Sequence, residues 1–360
     1  MKEIIAKIIK DYFNIPDLVN HIEVPQNQEL GDYSFPCFIL AKELKKAPNI
    51  IAKELAEKIN KKLSKEIEQV QATNGYLNFF VNKNYLAEQV INSILKQKEN
   101  YGKINPQSKP QKIMIEFPSP NTNKPLHLGH LRNMSVGDSV SRILSFQGNK
   151  VIKVNLNNDR GIHICKSMLA YQKFNSSKLT PEKTKKKSAH FVGDFYVLFN
   201  KELEKNPGLD QEAQEMLVKW EKGDKQTIKL WKKMNSWALS GFEETYKKFG
   251  IKIDKDYYES QIYKKGREII LDGLKKNIFY KKQDGAVAVN LEKEGLDEKI
   301  VLRADGTSVY ITQDIYLAKL KFDQFKLDKS IYLTGNEQDY HFKVLFLILK
   351  KLGFKFSNKI

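Results

Sequence analysis

Cysteine is nearly absent from this sequence. Its 360 residues include two, Cys37 and Cys165, far apart and without a CxxC partner. Neither a disulfide framework nor a zinc-binding set can be read from them. Arginine is scarce as well: Arg132, Arg142, Arg160, Arg267 and Arg303 stand in a chain whose default cation is lysine. Long apolar runs are missing. VLFLILKKLGF, Val344 to Phe354, is broken by lysine well before bilayer length. The opening MKEIIAKIIKDYF carries both charge signs on a helical pattern, unlike a secretory leader. A soluble cytoplasmic protein with no membrane segment is expected.

What is present describes a folding chain with more than one core. Hydrophobic residues make up 41% and aromatics 11%, which excludes a disordered polymer. The length exceeds one comfortable core, so two domains are expected. A formal charge of +18 suits a polyanionic partner such as nucleic acid. A lysine-rich, merely solvated surface would give the same total. The arginines say more, since the guanidinium supplies a planar fork and a permanent charge. Three of them fall in HLGHLRN, NNDRGIH and LRADGTS.

Residues 1–100 read as a small α+β unit. A helix opens it, and FILAKELKKAPNIIAKELAEKINKKL is a helical pattern interrupted by Pro48. GYLNFFVN, Gly75 to Asn82, reads as a strand, and NYLAEQVINSILKQ as a closing helix. Residues 101–111 are polar and proline-bearing, a linker by composition. Over 112–360 the texture changes. KIMIEF is a strand, and the helix from Gly129 is expected to bury Val136, Val140, Ile143 and Leu144 on one face. VIKVNLN follows as a second strand. Strand–helix–strand with short joints predicts a βαβ unit, hence an α/β, Rossmann-like parallel sheet. Residues 162–250 read as a helical insertion, in which SSKLTPEKTKKKSAH is taken as a solvated basic loop. FYKKQDGAVAVNLEK and IVLRADGTSVYIT each place a DG turn between strand-like segments. IYLTG, a strand, and DYHFKVLFLILKKLGF, a helix with Phe342, Leu345, Phe346, Leu349 and Leu352 on one face, end the chain.

The stretch IEFPSPNTNKPLHLGHLRN, Ile115 to Asn133, sits between strand and helix. In an open α/β sheet that loop lies at the carboxyl end of the strand, where ligands bind. A helix N-terminus there offers free N–H groups to phosphate. Gly129 leaves the backbone open to a flat group. His127 and His130 can donate hydrogen bonds where charge builds up on phosphorus. A metal pair lacks a third ligand nearby. Plain turn chemistry, with both rings facing solvent, stays open.

SPNTNKPLHLGHLRN resembles the HIGH signature of class I aminoacyl-tRNA synthetases, in the form found in the arginyl-tRNA synthetases. NNDRGIH, LRADGTSVYITQDI and GNEQDYHFKVLF follow in that family's order, and ELGDYSFPCF and GYLNFFVN resemble its N-terminal extension. The resemblance implies a HIGH-type nucleotidyl transferase with a helical insertion, behind a small N-terminal domain that touches tRNA. It implies the ligase reaction of that family: ATP activates L-arginine to arginyl-AMP, and the arginyl group passes to the terminal adenosine of tRNA(Arg). His127, Gly129 and His130 would then be catalytic. Ser119, Asn123, Lys124, Gly335 and His341 would bind ATP, with Mg2+ accompanying the nucleotide and no metal held by protein ligands. Glu116, Asn121, Tyr310, Asp314 and Gln338 would bind arginine, with Thr312 capping the helix beside them. Acids, a phenol and amides suit a guanidinium, which offers only donors and a fixed charge. Tyr76 and Asn78, with Phe80, would meet a splayed tRNA base. A monomer is expected.

Two departures stand out. Arg160 occupies a position in NNDRGIH where the family usually has an aromatic residue. No KMSKS-type lysine loop or helical anticodon-binding domain precedes Ile360. A truncated catalytic portion, charging tRNA poorly by itself, is therefore expected. A non-catalytic RNA-binding paralogue and another HxGH nucleotidylyltransferase are the alternatives.

Overall fold

The computed structural model describes residues 1–103 and 109–360. It divides into two compact units, Met1–Gly102 and Lys103–Ile360. The linker expected over 101–111 lies in part outside the described residues.

In the first unit, helix α1 spans Lys2–Lys10, strand β1 Tyr33–Pro36, α2 Phe38–Leu44 and α3 Pro48–Asn60. Strands β2, Ile67–Thr73, and β3, Tyr76–Val81, follow, and α4 covers Lys83–Gln97. Pro48 sits in the first turn of α3, where its missing N–H costs nothing. Ile51, Leu55 and Ile59 then recur at helical spacing and are buried against Val70, Leu77 and Phe79 of the sheet. The sheet is antiparallel, in the order β1-β3-β2. β3 is its central strand. Asn82 caps α4 by accepting from the backbone N–H groups of Asn84 and Tyr85.

The second unit is built on β4, Lys112–Glu116; α5, Leu128–Phe146; β5, Lys150–Asn157; and α6, Ile162–Phe174. A helical insertion continues with α7, Pro181–Thr184; α8, Ser188–Lys205; α9, Gly208–Glu221; and α10, Lys225–Lys248. Then come β6, Lys255–Tyr258; α11, Glu259–Ile262; α12, Arg267–Lys275; β7, Tyr280–Lys281; β8, Val287–Val289; and β9, Lys299–Leu302. The chain closes with α13, Tyr310–Phe325; β10, Lys329–Tyr332; and α14, Asp339–Lys351.

β4, β5, β6 and β10 form one parallel sheet in the order β10-β4-β5-β6. The chain runs outward from β4 to β6 and returns to β10 on the other side of β4. That reversal opens a crevice at the carboxyl ends of β4 and β10, the usual seat of a ligand in such sheets. β7, β8 and β9 make a separate antiparallel sheet, with the Asp284–Gly285 turn joining the first two.

Two expectations are corrected. Val136 and Ile143 are 38% and 61% exposed, and α5 buries Met134, Gly137 and Ser141 instead. The face that packs is the one with small residues, because they let the helix close onto Phe117: a Cβ at Gly137 would overlap its ring. The segment after the second DG turn is not a strand. Ser308 makes only an isolated bridge to Leu302, and α13 begins at Tyr310.

Candidate active site

The loop after β4 is laced to the end of β5. Ser119 donates its N–H to Asn155 Oδ1 at 3.0 Å, and its hydroxyl accepts from the Leu156 N–H at 3.4 Å. The backbones of Pro120 and Thr122 bond to Asn158. Ser119 thus shapes the loop. Asn123 is buried, and its Oδ1 has no partner. Lys124 and Pro125 lie against α8, where a Cβ on Gly193 would come within 2.6 Å of Pro125 Cδ. Only glycine allows that approach.

His127 is the N-cap of α5. Its Nδ1 accepts from the Gly129 N–H at 3.1 Å, and His130 Nδ1 accepts from the His127 N–H at 3.2 Å. The two rings lie 4.0 Å apart. Each Nδ1 acts as an acceptor, which leaves each Nε2 as the ring's outward N–H donor. Burial first, then the neighbouring His127 and Lys124, push His130 down to about 4. The pair therefore offers two Nε2–H donors at a helix N-terminus, that of His130 uncharged. Asn133, one turn on, donates to the Leu333 carbonyl at 3.3 Å, which brings the end of β10 alongside α5. Gly335 lies two residues beyond Leu333, half-buried.

Glu116, the last residue of β4, is buried and ion-paired to Lys321 of α13, whose side chain is fully buried. The Tyr332 hydroxyl lies 3.4 Å from the same ammonium. Burial opposes charge on Lys321, but Glu116 and Tyr332 outweigh it and hold the ammonium protonated, above the usual lysine range. Glu116 thus meets the crevice with a cation already beside it.

A second group of acids has no such partner. Glu259, at the start of α11, is 5% exposed. Burial pushes it up to about 7; Arg160 pulls it down, Asp159 and Asp314 push it further up, and Gln313 bonds to it. Tyr310 feels the same carboxylate. Asp159 is tied to this corner: its carboxylate accepts from the Ser260 N–H at 2.8 Å and the Ser260 hydroxyl at 2.6 Å. Its own carbonyl accepts from Trp231 Nε1 and Asn235 Nδ2 of α10.

The predicted residues divide accordingly. Asp314 and His341 are bonded to each other at 2.7 Å, which brings one residue expected at arginine beside one expected at ATP. Tyr310, 62% exposed, and Asp314 lie on the first turns of α13. Thr312 is not the N-cap but the third helical residue; its hydroxyl bonds back to the Val309 N–H and to the Val301 carbonyl. Asn121 and Gln338 are exposed. In the first unit Tyr76 stands edge-on to Phe38 at 5.3 Å, half-buried. Asn78 is buried at 3%, because β3 is flanked by Ser34 and Gln71 on its neighbours. It is not presented to a base in this form. Phe80 is half-buried.

Sequence reading missed Glu259, Asp159 and Lys321. Glu259 stands in no quoted motif; Asp159 is the acid of NNDRGIH, a motif noted without a role for that residue. Lys321 did carry a signal: it interrupts the apolar stripe of α13 beside Leu317 and Ala318.

Residues 90–359 match the family model described as "tRNA synthetases class I (R), catalytic domain", and residues 1–81 match "Arginyl tRNA synthetase N terminal domain". An arginine–tRNA ligase of Treponema denticola is 50% identical over 367 residues, covering 98% of this chain and 62% of the relative. That of Borrelia turicatae is 46% identical over 352 residues, covering 96% and 59%. The chain thus spans about three fifths of these relatives' length. The arginyl-tRNA synthetase structure from Thermus thermophilus superposes with a TM-score of 0.69 at 23% identity, covering 99% of this chain and 63% of the other. At that identity the likeness concerns the fold.

Proposed function

This chain belongs to the class I arginyl-tRNA synthetase family, and from that premise we propose that it carries the arginine-activating site of an arginine–tRNA ligase. The reaction joins L-arginine to ATP: a carboxylate oxygen attacks the α-phosphorus in line, the new C–O–P bond forms, and pyrophosphate leaves. Arginyl-AMP then yields its acyl group to the terminal adenosine of tRNA(Arg). Catalysis of this kind rests on positioning and charge stabilisation.

The observation that carries the reading is the pairing of two features in one unit. His127 and His130, bonded through the α5 cap, lie at the N-terminus of α5 after the loop from β4, and Glu259, Asp314 and Tyr310 form an acidic corner. The Nε2–H groups would donate to phosphate oxygens, and a neutral donor meets growing negative charge without having to lose a proton. Gly129 presents its turn of backbone, with Asn123, Lys124, Ser119 and Gly335 around the nucleotide. On the amino-acid side, Glu259 and the Asp314–His341 pair would face the guanidinium, with Tyr310, Asn121 and Gln338 as neutral partners. Glu116, balanced by Lys321, would fix the α-amino end without adding net charge.

Mg2+ would enter with ATP. Its ligands would be phosphate oxygens and water. Residues 1–100 would touch tRNA through Tyr76 and, after local opening, Asn78; residues 112–360 would hold the catalytic site, with 101–111 between them. No helix among the described residues is long and apolar enough to cross a membrane; the working form would be a monomer acting in the cytoplasm.

Calorimetric titration with arginine, citrulline and lysine tests the pocket. Arginine binding at least about tenfold tighter than citrulline, which lacks the charge, is expected. Equal affinities would sink the assignment. ATP–pyrophosphate exchange dependent on arginine, with and without tRNA, tests the chemistry.

A further inference from the structure

β5 lies inside the parallel sheet, where strands are usually apolar on both faces. Its carboxyl end nevertheless carries Asn155 and Asn157. They stand two residues apart on one face, and each is 1% exposed. Opposite Asn155 in the neighbouring strand is Asp256 of β6. Asp256 Oδ1 accepts from Asn155 Nδ2 at 2.9 Å and from Asn157 Nδ2 at 2.8 Å. Asn155 Nδ2 also donates to Asn157 Oδ1 at 3.0 Å, so both of its amide hydrogens are used. The Asn155 Oδ1 accepts the Ser119 N–H at 3.0 Å.

These bonds have a direction. At one end a carboxylate can only accept, and at the other a backbone N–H can only donate. Amides between such ends fit one way round, with nitrogen toward Asp256 and the Asn155 oxygen toward Ser119. An Asn155 amide turned over would set donor against donor and acceptor against acceptor, leaving buried polar groups unpaired. Ser119 itself has a φ of +53°, a left-handed backbone that a serine keeps only where its surroundings impose it. Two other bonds reach it, from the Leu156 N–H to its hydroxyl at 3.4 Å and from Asn158 Nδ2 to its carbonyl at 3.5 Å. Both are longer than the bond to Asn155. From Ser119 the loop runs through buried Asn123 to the His127 cap.

We propose that Asp256 is a positioning residue for the nucleotide loop: it orients the Asn155 and Asn157 amides, and through Asn155 it fixes the backbone of Ser119, from which the loop runs to His127. It acts through Asn155, not on a reacting atom. Its functional meaning rests on the nucleotide-site reading, whereas its hold on Ser119 can be measured without ligand.

The test uses the full chain with Asp256→Leu, Asp256→Asn, Asn155→Asp and the swapped double variant Asn155→Asp/Asp256→Asn. Exchange of the Ser119 amide proton is followed by NMR in the absence of ligand. In Asp256→Leu, which removes the acceptor, it should quicken about three- to tenfold, while the amides paired between β5 and β6 keep their rates. Asp256→Asn can still turn an oxygen toward both amides and should fall between. Asn155→Asp sets two carboxylates face to face and should be the least stable chain. The swapped variant places the acceptor-only group beside Ser119 and should bring its rate back to within about twofold of the original. ATP affinity by calorimetry should follow the same order, about three- to tenfold weaker in Asp256→Leu and recovered in the swapped variant. A merely structural Asp256 would quicken Ser119 and the β5–β6 amides alike. An unchanged Ser119 rate in folded Asp256→Leu overturns the inference whether or not ATP binds. So does an unchanged ATP affinity when Ser119 has loosened. If Ser119 loosens and the unsubstituted chain binds no ATP, Asp256 keeps its hold on the loop and the nucleotide-site reading fails. Should Asp256→Leu not fold, Asp256→Asn decides: a Ser119 rate no faster than that of the unsubstituted chain overturns the inference.

Discussion

Replacing Lys321 with methionine leaves Glu116 in place with its counter-charge gone. The lysine is fully buried and the glutamate is 7% exposed, so solvent cannot take over the pairing. Breaking a buried pair from one side costs about 3–5 kcal/mol, because the remaining charge is uncompensated. The sign with pH follows from the carboxyl group. Deprived of its partner, the ionised Glu116 is an uncompensated buried charge, and taking up a proton removes that charge. The destabilisation is therefore full at pH 7–8 and fades as pH falls toward 5 and the acid takes up its proton. Urea unfolding of Lys321→Met at several pH values measures this, following the unit that contains the site. Removing the orphan as well, in Lys321→Met/Glu116→Gln, should recover roughly half of the loss or more, since a neutral amide costs less to bury than an unpaired charge. A loss below about 1 kcal/mol, or one equally large at pH 5 and pH 8, would refute the view that this ion pair is buried and charged.

Further outcomes can be checked separately. Glu259→Gln should stabilise the fold at pH 8 by roughly 2–3 kcal/mol and leave it unchanged near pH 4.5, since an acid held at about 7 opposes folding once ionised; chemical denaturation at both pH values decides it. Gly137→Ala should cost about 1–3 kcal/mol through overlap with Phe117, read by thermal melting. Burial pushes the Cys37 and Cys165 thiols up to about 12, so a thiol reagent at pH 8 should label neither until the chain unfolds. His130 should keep a constant ring NMR shift down to about pH 5, given its midpoint near 4; a transition near 6.5 would contradict a neutral, Nδ1-accepting His130.

Much of the scaffold was legible. The break at Pro48, the β4–α5–β5 joint and the DG hairpin all follow from local chemistry that tertiary packing had no reason to override. The buried side of α5 was not legible, because apolar periodicity favours Val136 and Ile143 while close packing favours Gly137 and Ser141. Period alone does not tell a large buried side chain from a small one that permits contact. For the site, the histidines were visible through their motif, but their tautomer was not; it depends on which backbone N–H each ring meets. The acidic corner depends on Glu259, which lies more than fifty residues from Asp159, Tyr310 and Asp314, and sequence spacing carries no trace of that convergence.

Asp159 joins two bodies of the fold through one residue: its carbonyl is gripped by Trp231 and Asn235 of α10, and its carboxylate holds Ser260. The helices between β5 and β6 are consequently no detachable ornament. Grafting them from a relative, or excising them to make a smaller enzyme, would loosen the residue next to Glu259 even if every pocket side chain were retained. Recombination within this family should respect that tie, exchanging α10 and the Asp159 loop together or not at all.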